Sequence, residues 1–495
     1  MMTLQQDPNK PSWRHPAAVA LDDKRLRSRA LIAGTDAIHA DPARFLPKWP
    51  GEDQDAFLRR ARLTEVFGAY ARTLEASEGL VFAEPPALDE TAAPAFVEMA
   101  EDVDGYGNAL PVFARPVFHD GLADGVSGIL VDYPTVENPA AVSLAQARSA
   151  GLRPYFVRVP AGAVVNWRSA RIGAEEVLTL LVLTDGFTEP EGAWGFTVVP
   201  GFRVYRRTES GVTVERWRQR TGTAAVGAEF DLVEGPTPIV GPREIPFATN
   251  YGGRMQDTLT AAPPLDQLAW LNLGHYRVSA DHRTLMSVAH APTVCVEGWG
   301  DPDNPPKIAI GPYSLITLIG EATAKFLQAD PDALAASERT MARQEQQMAA
   351  LGMAFLARDK GRDETATGRR LDAAADFATL GTAADGLKDC LERALGFAAE
   401  FMGMRAEDAP AVSVSTTYDE SRLDAQTITA LSNLATAQQI TVRTLLEELK
   451  RGRVISEAVD LDDEETAALA AQAVEAEQRA QADDAARAAA TAVGG

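Results

Sequence analysis

The stretch that decides the fold is residues 364–404, ETATGRRLDAAADFATLGTAADGLKDCLERALGFAAEFMGM. From Leu371 to Met402, apolar residues recur every three or four positions, which is typical of one amphipathic helix. An ordinary globular helix has about 10 to 14 residues. A helix of roughly 40 residues is far longer and spans on the order of 60 Å. We therefore predict a single long helix that something larger than one compact subunit must cover.

A charged loop and a polar helix precede this stretch. Asp330-Pro331 supplies an N-cap and a first-turn proline for a helix to about residue 352, which consists chiefly of Ser, Glu, Arg and Gln. A helix this polar is not expected to be buried in a single core. A local basic cluster lies in the segment between the two helices and at the beginning of the long helix. It consists of Arg358, Lys360, Arg362, Arg369 and Arg370. The cluster is compatible with a solvated loop, and equally with contact to phosphates in a ring pore.

Composition bounds the class of protein. The chain has 495 residues, 46% of them hydrophobic, which is enough for two to four compact units. A net charge of -23 argues against tight binding of nucleic acid, although not against a protein that surrounds DNA and lets it slide. Two cysteines, a polar beginning and the lack of an apolar run of about 18 residues predict a cytoplasmic product with no membrane span.

The rest of the chain separates into helical and extended parts. We predict helices at about 52–79, 108–122 and 264–290, and a buried strand at 128–134. From 153 to 245 the pattern becomes extended, which indicates a β meander inserted in a helical chain. Short apolar segments broken by glycine and proline follow at 292–328. After the long helix we expect a strand at 412–415 and further helices at 424–437, 441–451 and from about 462.

Candidate catalytic and metal sites are incomplete. The segment Asp102 to Asn108 is similar to a calcium loop, but Phe113 occupies the position of the acidic bidentate ligand. His282, His290 and Cys295 lack a fourth zinc ligand at a suitable spacing. The sequence contains neither a Gly-x-Ser-x-Gly elbow nor a Walker lysine loop. We therefore expect no metal, no cofactor and no enzymatic activity.

The order of these elements resembles the portal (head-to-tail connector) proteins of tailed bacteriophages. Sparse motifs are similar to one portal family that long carried a domain-of-unknown-function label, over roughly residues 45 to 460. They are Val164-Val165-Asn166-Trp167-Arg168, Leu265-Asp266 with Leu271-Asn272 and Tyr276, Pro292-Thr293-Val294 before Gly298, and Glu364-Thr365-Ala366-Thr367.

The resemblance implies an α+β, portal-like fold with long stem and crown helices, an inserted antiparallel β meander in the wing, and a small clip domain. The implied divisions are 1–44 N-terminal arm, 45–262 wing with the meander at 153–245, 263–291 stem helix, 292–329 clip, 330–352 second stem helix, 353–363 tunnel loop, 364–420 long wing helix and return strand, and 421–495 crown and C-terminal tail.

The resemblance also implies a function: a homo-oligomeric ring, usually of twelve subunits, at one vertex of a virion, assembled in the host cytoplasm. The implied partners are the major capsid protein, the terminase, a head-tail adaptor and double-stranded DNA in transit, with no membrane. Twelve copies would carry roughly 276 negative charges, so the bore would repel the DNA backbone. The basic cluster would then face DNA from the tunnel loop.

The clip carries more apolar side chains than so small a unit can bury, which predicts contacts with neighbouring subunits and the adaptor. The candidate contact residues are Ile308, Ile310, Tyr313, Leu315 and Ile316. Two alternatives remain open from the sequence: another virion structural or scaffold protein built as a helical bundle with a β insertion, and an enzyme whose site follows no known motif.

Overall fold

The protein has an α+β fold with antiparallel sheets, seen in a computed structural model. The chain divides into two units, Met1–Thr417 and Tyr418–Gly495. Among the described helices, none combines the length and apolar character that crossing a membrane requires. The structure describes residues 7–134, 151–220, 228–290, 293–298, 323–327, 331–352, 366–416, 425–437 and 439–451, with isolated positions between 454 and 470.

Short helices occupy much of the segment predicted as an N-terminal arm. They bury apolar side chains such as Leu31 and Ile38, and His15 stacks on Trp167 with 3.9 Å between ring centroids. Some polar residues of this segment are themselves buried, among them Arg25, Arg27 and Ser28 of the second helix. The helices are α1 (Pro16–Ala20), α2 (Asp22–Ala33), α3 (Thr35–Ala40) and α4 (Pro42–Phe45).

The helix predicted at 52–79 is two helices, α5 (Gln54–Arg62) and α6 (Ala69–Val81). The break follows from local hydrogen bonds: the Thr64 hydroxyl donates to the Arg60 carbonyl, and the backbone of Val66 donates to the Thr35 hydroxyl. The apolar residues of this segment do not form one buried stripe, because Leu63 and Phe67, which lie in the break, are exposed.

A three-stranded antiparallel sheet forms the centre of the larger unit. Its strands are β2 (Val126–Asp132), β3 (Tyr155–Pro160) and β9 (Phe247–Tyr251), with β2 in the middle. Helix α8 (Leu110–Asp124), which follows β1 (Ala87–Leu88) and α7 (Pro94–Glu101), packs against this sheet. Strand β2 is buried along nearly its whole length, as its apolar run predicts.

The β meander is a five-stranded sheet in sequential order. The predicted meander began at residue 153, but its first strand, β3, pairs with β2 in the central sheet instead. Sequence periodicity does not distinguish between partners, and a shared core that includes Leu130, Trp167 and Leu181 joins the two sheets. The strands are β4 (Val164–Ile172), β5 (Glu175–Glu191), β6 (Gly195–Thr208), β7 (Gly211–Gln219) and β8 (Phe230–Ile239).

The following segment alternates helices with short strand pairs. A small pair, β10 (Met255–Asp257) with β11 (Thr260–Ala261), precedes helix α9 (Asp266–His290). Strands β12 (Thr293–Glu297) and β13 (Thr323–Leu327) then pair in antiparallel register, and helix α10 (Pro331–Leu351) follows. The two strands therefore bring together the ends of the segment predicted as the clip.

The long helix, α11, runs over Ala366–Phe401 and has 36 residues. From Leu380 to Ala399 its apolar side chains are buried within this chain, against the central sheet and α8. Gly386 lies so close to β9 that a Cβ there would come within 2.5 Å of the Tyr251 carbonyl oxygen. The expectation that a larger assembly must cover the helix is thus wrong for its second half. The side chains of residues 366–378 lie outside the described set.

Beyond the long helix, β14 (Val412–Ser413) returns to pair with β1, over part of the predicted strand at 412–415. The second unit contains α12 (Ala425–Thr436) and α13 (Val442–Arg451), close to the predicted bounds. The helix predicted from residue 462 falls mainly outside the described positions.

Candidate functional site

Helices α9 and α10 form an antiparallel hairpin. The His275 ring nitrogen Nε2 lies 3.2 Å from a carboxylate oxygen of Glu345, and His282 Nδ1 lies 2.6 Å from the hydroxyl of Ser337. As the residue number rises along one helix it falls along the other, which fixes the antiparallel direction. The hairpin leads into the β12–β13 pair, so its two helices connect the body of the subunit to the predicted clip.

Helix α10 is supported along one narrow stripe. Its less exposed side chains are Leu334, Ser337, Met341, Gln344 and Met348, spaced three or four residues apart. Of the described side chains from Asp332 to Leu351, only Met348 is buried. The remaining surface, which includes Glu338, Arg339 and Arg343, is exposed in the single chain. The predicted polar stem helix is therefore a helix with most of its circumference uncovered by its own subunit.

Helix α9, in contrast, is anchored firmly at its beginning. The Asp266 carboxylate accepts from Arg27 at 2.5 Å and lies 3.3 Å from the Lys24 ammonium. The Arg27 guanidinium also stacks over Trp270, 3.9 Å from the ring centroid. Because both cations come from α2, the segment predicted as an arm holds the start of the stem.

Asn272 anchors the middle of α9. Its side-chain oxygen accepts from the backbone of Tyr70 at 3.1 Å, and its amide nitrogen donates to the Phe67 carbonyl at 2.8 Å. Asn272 is fully buried, and so is Tyr276 one turn later. The side chain therefore satisfies the buried backbone N–H of Tyr70 and supplies a second donor to the Phe67 carbonyl, which also accepts from the Ala69 backbone.

Arg60 connects α9 to the loop before α5. Its guanidinium donates to both carboxylate oxygens of Glu52, at 2.9 and 2.8 Å, to the Pro47 carbonyl at 2.8 Å and to Asp281 of α9 at 3.2 Å. The Trp49 ring covers it at 4.2 Å. The Arg60 and Glu52 side chains are 3% and 5% exposed, so this is a buried ion pair.

The pKa values of two carboxyl groups in this cluster shift in opposite directions. Hydrogen bonds from Arg60 hold the pKa of Glu52 below its usual range. Partial burial raises the pKa of Asp281, against the nearby Arg60 charge. Two further arginines of α9 donate to carbonyls of the same region, Arg277 to Phe45 and Arg283 to Leu63, both at 2.8 Å. The stem is thus fixed to the body by cations that bind carboxylates and carbonyls.

The predicted DNA-facing and clip residues lie largely outside the described residues. Arg358, Lys360 and Arg362 fall in the undescribed segment 353–365, and Ile308, Ile310, Tyr313, Leu315 and Ile316 fall in 299–322. Arg369 and Arg370 belong to the first turns of α11, where the backbone alone is described. Their predicted roles stay predictions.

The two candidate metal sites have other local roles. The Asp102 carboxylate accepts from the backbone N–H groups of Gly105 and Gly107, so it closes a glycine turn. His282 is bonded to Ser337. Within the described ranges, no three His, Cys, Asp or Glu side chains are grouped as metal ligands.

The sequence pattern did not identify the anchors of α9 as a group. Asp266, Asn272 and Tyr276 appeared in the motifs that resemble portal proteins, but Arg27 and Arg60 did not. Sequence spacing could not identify Arg27 and Arg60 as anchors, because the carboxylates that they bind lie on other elements.

Comparison with known proteins gives one family match. The family described as "Domain of unknown function (DUF4055)" matches residues 264–402, which include α9, α10 and α11. A search of curated proteins gives no match.

Three solved structures align over most of the chain. The neck of an empty GTA particle computed with C6 symmetry aligns at a TM-score of 0.38 and 11% identity, over 83% of this chain and 97% of that one. The virion of a native gene transfer agent (GTA) particle aligns at a TM-score of 0.36 and 11% identity, over 79% of this chain and 90% of that one. The neck of a native GTA particle computed with C12 symmetry aligns at a TM-score of 0.37 and 12% identity, over 81% of this chain and 94% of that one. At TM-scores below 0.5, these alignments do not by themselves establish a common fold.

Proposed function

We propose that this chain is a portal-type subunit that assembles into a closed ring at a capsid vertex and lets double-stranded DNA pass through an axial channel. The observation that carries the proposal is the contrast within the hairpin. Helix α9 is anchored by ion pairs to the buried side chains of Arg27 and Arg60, whereas α10 has 21 residues and buries Met348 alone among its described side chains. A helix such as α10, mostly uncovered and packed along one stripe against an anchored helix, is suited to line a hydrated channel beside copies of itself.

The family match adds support, because it falls on the same stretch as the hairpin and the long helix. The residues that resemble portal motifs there, Asp266, Asn272 and Tyr276, are among those that fix α9 to the body. Such anchors would fix the position of the channel wall relative to the body of the subunit. The proposed partners are the major capsid protein, the terminase, a tail adaptor at the predicted clip, and DNA.

The net charge agrees with passage rather than capture of DNA. A ring of chains with net charge -23 repels phosphates, and repulsion along most of the bore would reduce friction during packaging. The predicted tunnel loop would then supply the few cations that touch passing phosphates.

Reversing charge in that loop should alter packaging without affecting assembly. We expect Lys360→Glu with Arg362→Glu to form rings normally, since the helices on either side supply the packing, and to change the length of DNA packaged into particles. A matched pair, Arg339→Glu with Arg343→Glu on α10, reports on the effect of charge elsewhere along the proposed channel. Packaged DNA of wild-type length in the loop variant would return Lys360 and Arg362 to the role of a solvated loop.

Native mass spectrometry separates the alternatives most cheaply. Twelve chains of 53.0 kDa give a ring of about 640 kDa. A monomer or dimer at every concentration would favour another structural protein or an enzyme.

A further inference from the structure

Strands β5 and β6 extend well beyond the rest of their sheet. Pairing of β5 with β4 ends at Leu183, and pairing of β6 with β7 ends at Gly201, yet β5 and β6 stay paired as far as Glu191 and Gly195. Residues 184–200 thus form a two-stranded ribbon, about 25 Å long at 3.3 Å per residue. In the described part of the chain, no other strand pairs with either edge of this ribbon.

The two faces of the ribbon differ in charge. Directly paired residues of an antiparallel ladder lie on the same face of the sheet. Thr188 therefore lies on the same face as Val198, and Pro190 on the same face as Phe196. We call this side the neutral face; it consists of Gly186, Thr188, Pro190, Phe196, Val198 and Pro200. The three carboxylates of the ribbon, Asp185, Glu189 and Glu191, all lie on the opposite side.

The neutral face and the turn expose large apolar side chains. Trp194 in the turn is 99% exposed, Phe196 67% and Val198 55%. Arg216 covers the Phe187 ring on the charged face of the ribbon, at 4.5 Å from the centroid, and binds Asp185 at 2.8 Å, whereas the neutral face is exposed. Contiguous exposed apolar groups mark an interaction surface. Segregation of the charges to the other face leaves the neutral face free of desolvation cost.

The chemistry of the ribbon favours one kind of partner. Residues 184–200 contain no lysine or arginine, so phosphates of a nucleic acid would be repelled. The neutral face, about 25 by 10 Å, and the Trp194 side chain together offer roughly 400–500 Å². This is less than the roughly 800 Å² per partner of a stable independent complex. A contact of this size needs a companion contact between the same two molecules.

We propose that the neutral face and Trp194 dock on a second copy of this chain. In the ring proposed above, on which this inference rests, one part of the uncovered surface of α10 faces the channel and an adjacent part provides the companion contact, and each ribbon contact is repeated at every subunit boundary. The ribbon would act as a clasp between neighbouring wings.

The direct test places a photoreactive p-benzoylphenylalanine at position 194 of the full-length protein and irradiates the purified rings. We expect a covalent product of two chains, with the crosslinked peptide mapped by mass spectrometry. Rings that form but give no product joining two chains would overturn the clasp and leave the portal proposal intact. Absence of any ring in the wild type would instead overturn the proposed function.

A second measurement uses matched substitutions. Phe196→Ser with Val198→Ser should raise the subunit concentration at half-assembly about tenfold or more, since buried apolar area is lost at each contact. The control Val112→Ser removes a valine on α8 that is 59% exposed, close to the 55% of Val198. Circular dichroism should show the same folded signal for all variants. Equal assembly of the ribbon variant and the control would contradict the clasp.

Discussion

Replacement of Arg60 by methionine is expected to lower the free energy of unfolding of the larger unit by about 3–5 kcal/mol, the usual cost of removing one member of a buried ion pair. Without the guanidinium, the Glu52 carboxylate, 5% exposed, keeps its charge, loses both hydrogen bonds from Arg60 and retains the one from the Trp49 backbone. The Pro47 carbonyl loses its donor as well. Because Arg60 also binds Asp281, the contact between α9 and the loop before α5 should loosen.

Urea denaturation followed by circular dichroism would measure this loss, at concentrations where the variants share one oligomeric state. The matched control is Arg59→Met on the adjacent, exposed position of the same helix, where we expect a change within about 0.5 kcal/mol. The double variant Arg60→Met with Glu52→Gln should cost less than the sum of the single changes, because the buried Glu52 charge is no longer left without Arg60. Similar losses for Arg60→Met and Arg59→Met would disprove the anchoring role.

Gly386→Ala is expected to lower the free energy of unfolding by about 1–3 kcal/mol, the range for overpacking in a core. The added Cβ would lie 2.5 Å from the Tyr251 carbonyl oxygen, and that backbone belongs to β9 in the central sheet. Neither α11 nor β9 can shift freely, since Cys390 of α11 also donates its thiol to the Ala248 carbonyl of β9 at 3.4 Å. The helix and the sheet would therefore have to separate.

The control lies on the same helix. At Gly381 the nearest atom to an added Cβ is the Thr416 carbonyl oxygen, at an ordinary contact distance of 3.7 Å. Gly381→Ala should stabilise the protein by about 0.5–1 kcal/mol, because alanine favours helix more than glycine does. Opposite signs for the two substitutions, measured by thermal or urea denaturation, would confirm the packing of α11 on the central sheet. The same sign and size at both positions would contradict it.

The helices could be predicted wherever strong periodicity and clear end signals coincided. Prolines in the first turn marked the start of α10, and the run of apolar positions from 371 to 402 marked α11, which ends at Phe401. The strands of the meander were visible because β-branched residues cluster between glycine turns. These are local signals, and local chemistry determines them.

The sequence pattern could not predict which elements pair or pack with each other. Strand β3 has the same composition as its neighbours, yet it pairs with β2, and only the shared core decides between the two partners. The break after Arg62 depends on hydroxyl groups of Thr64 and Thr35 that satisfy backbone groups. The second half of α11 is covered by its own chain, a fact that helix length cannot reveal.

The candidate site was predicted as a set of elements rather than as a set of contacts. The polar character of α10 indicated a largely uncovered helix, and its described side chains agree. The cations that hold α9, above all Arg27 and Arg60, come from distant parts of the chain and have no sequence spacing to identify them. Function in this chain therefore depends on pairings that form only in the folded subunit.

Electron microscopy of the purified full-length protein is the most direct test of the proposed ring. We expect closed rings with an axial channel in end-on views and, in a reconstruction, the exposed side of Pro331–Leu351 facing that channel while α9 remains joined to the body through Arg60 and Asp281. Particles without a channel, or rings in which this helix lies on the outer surface, would contradict it.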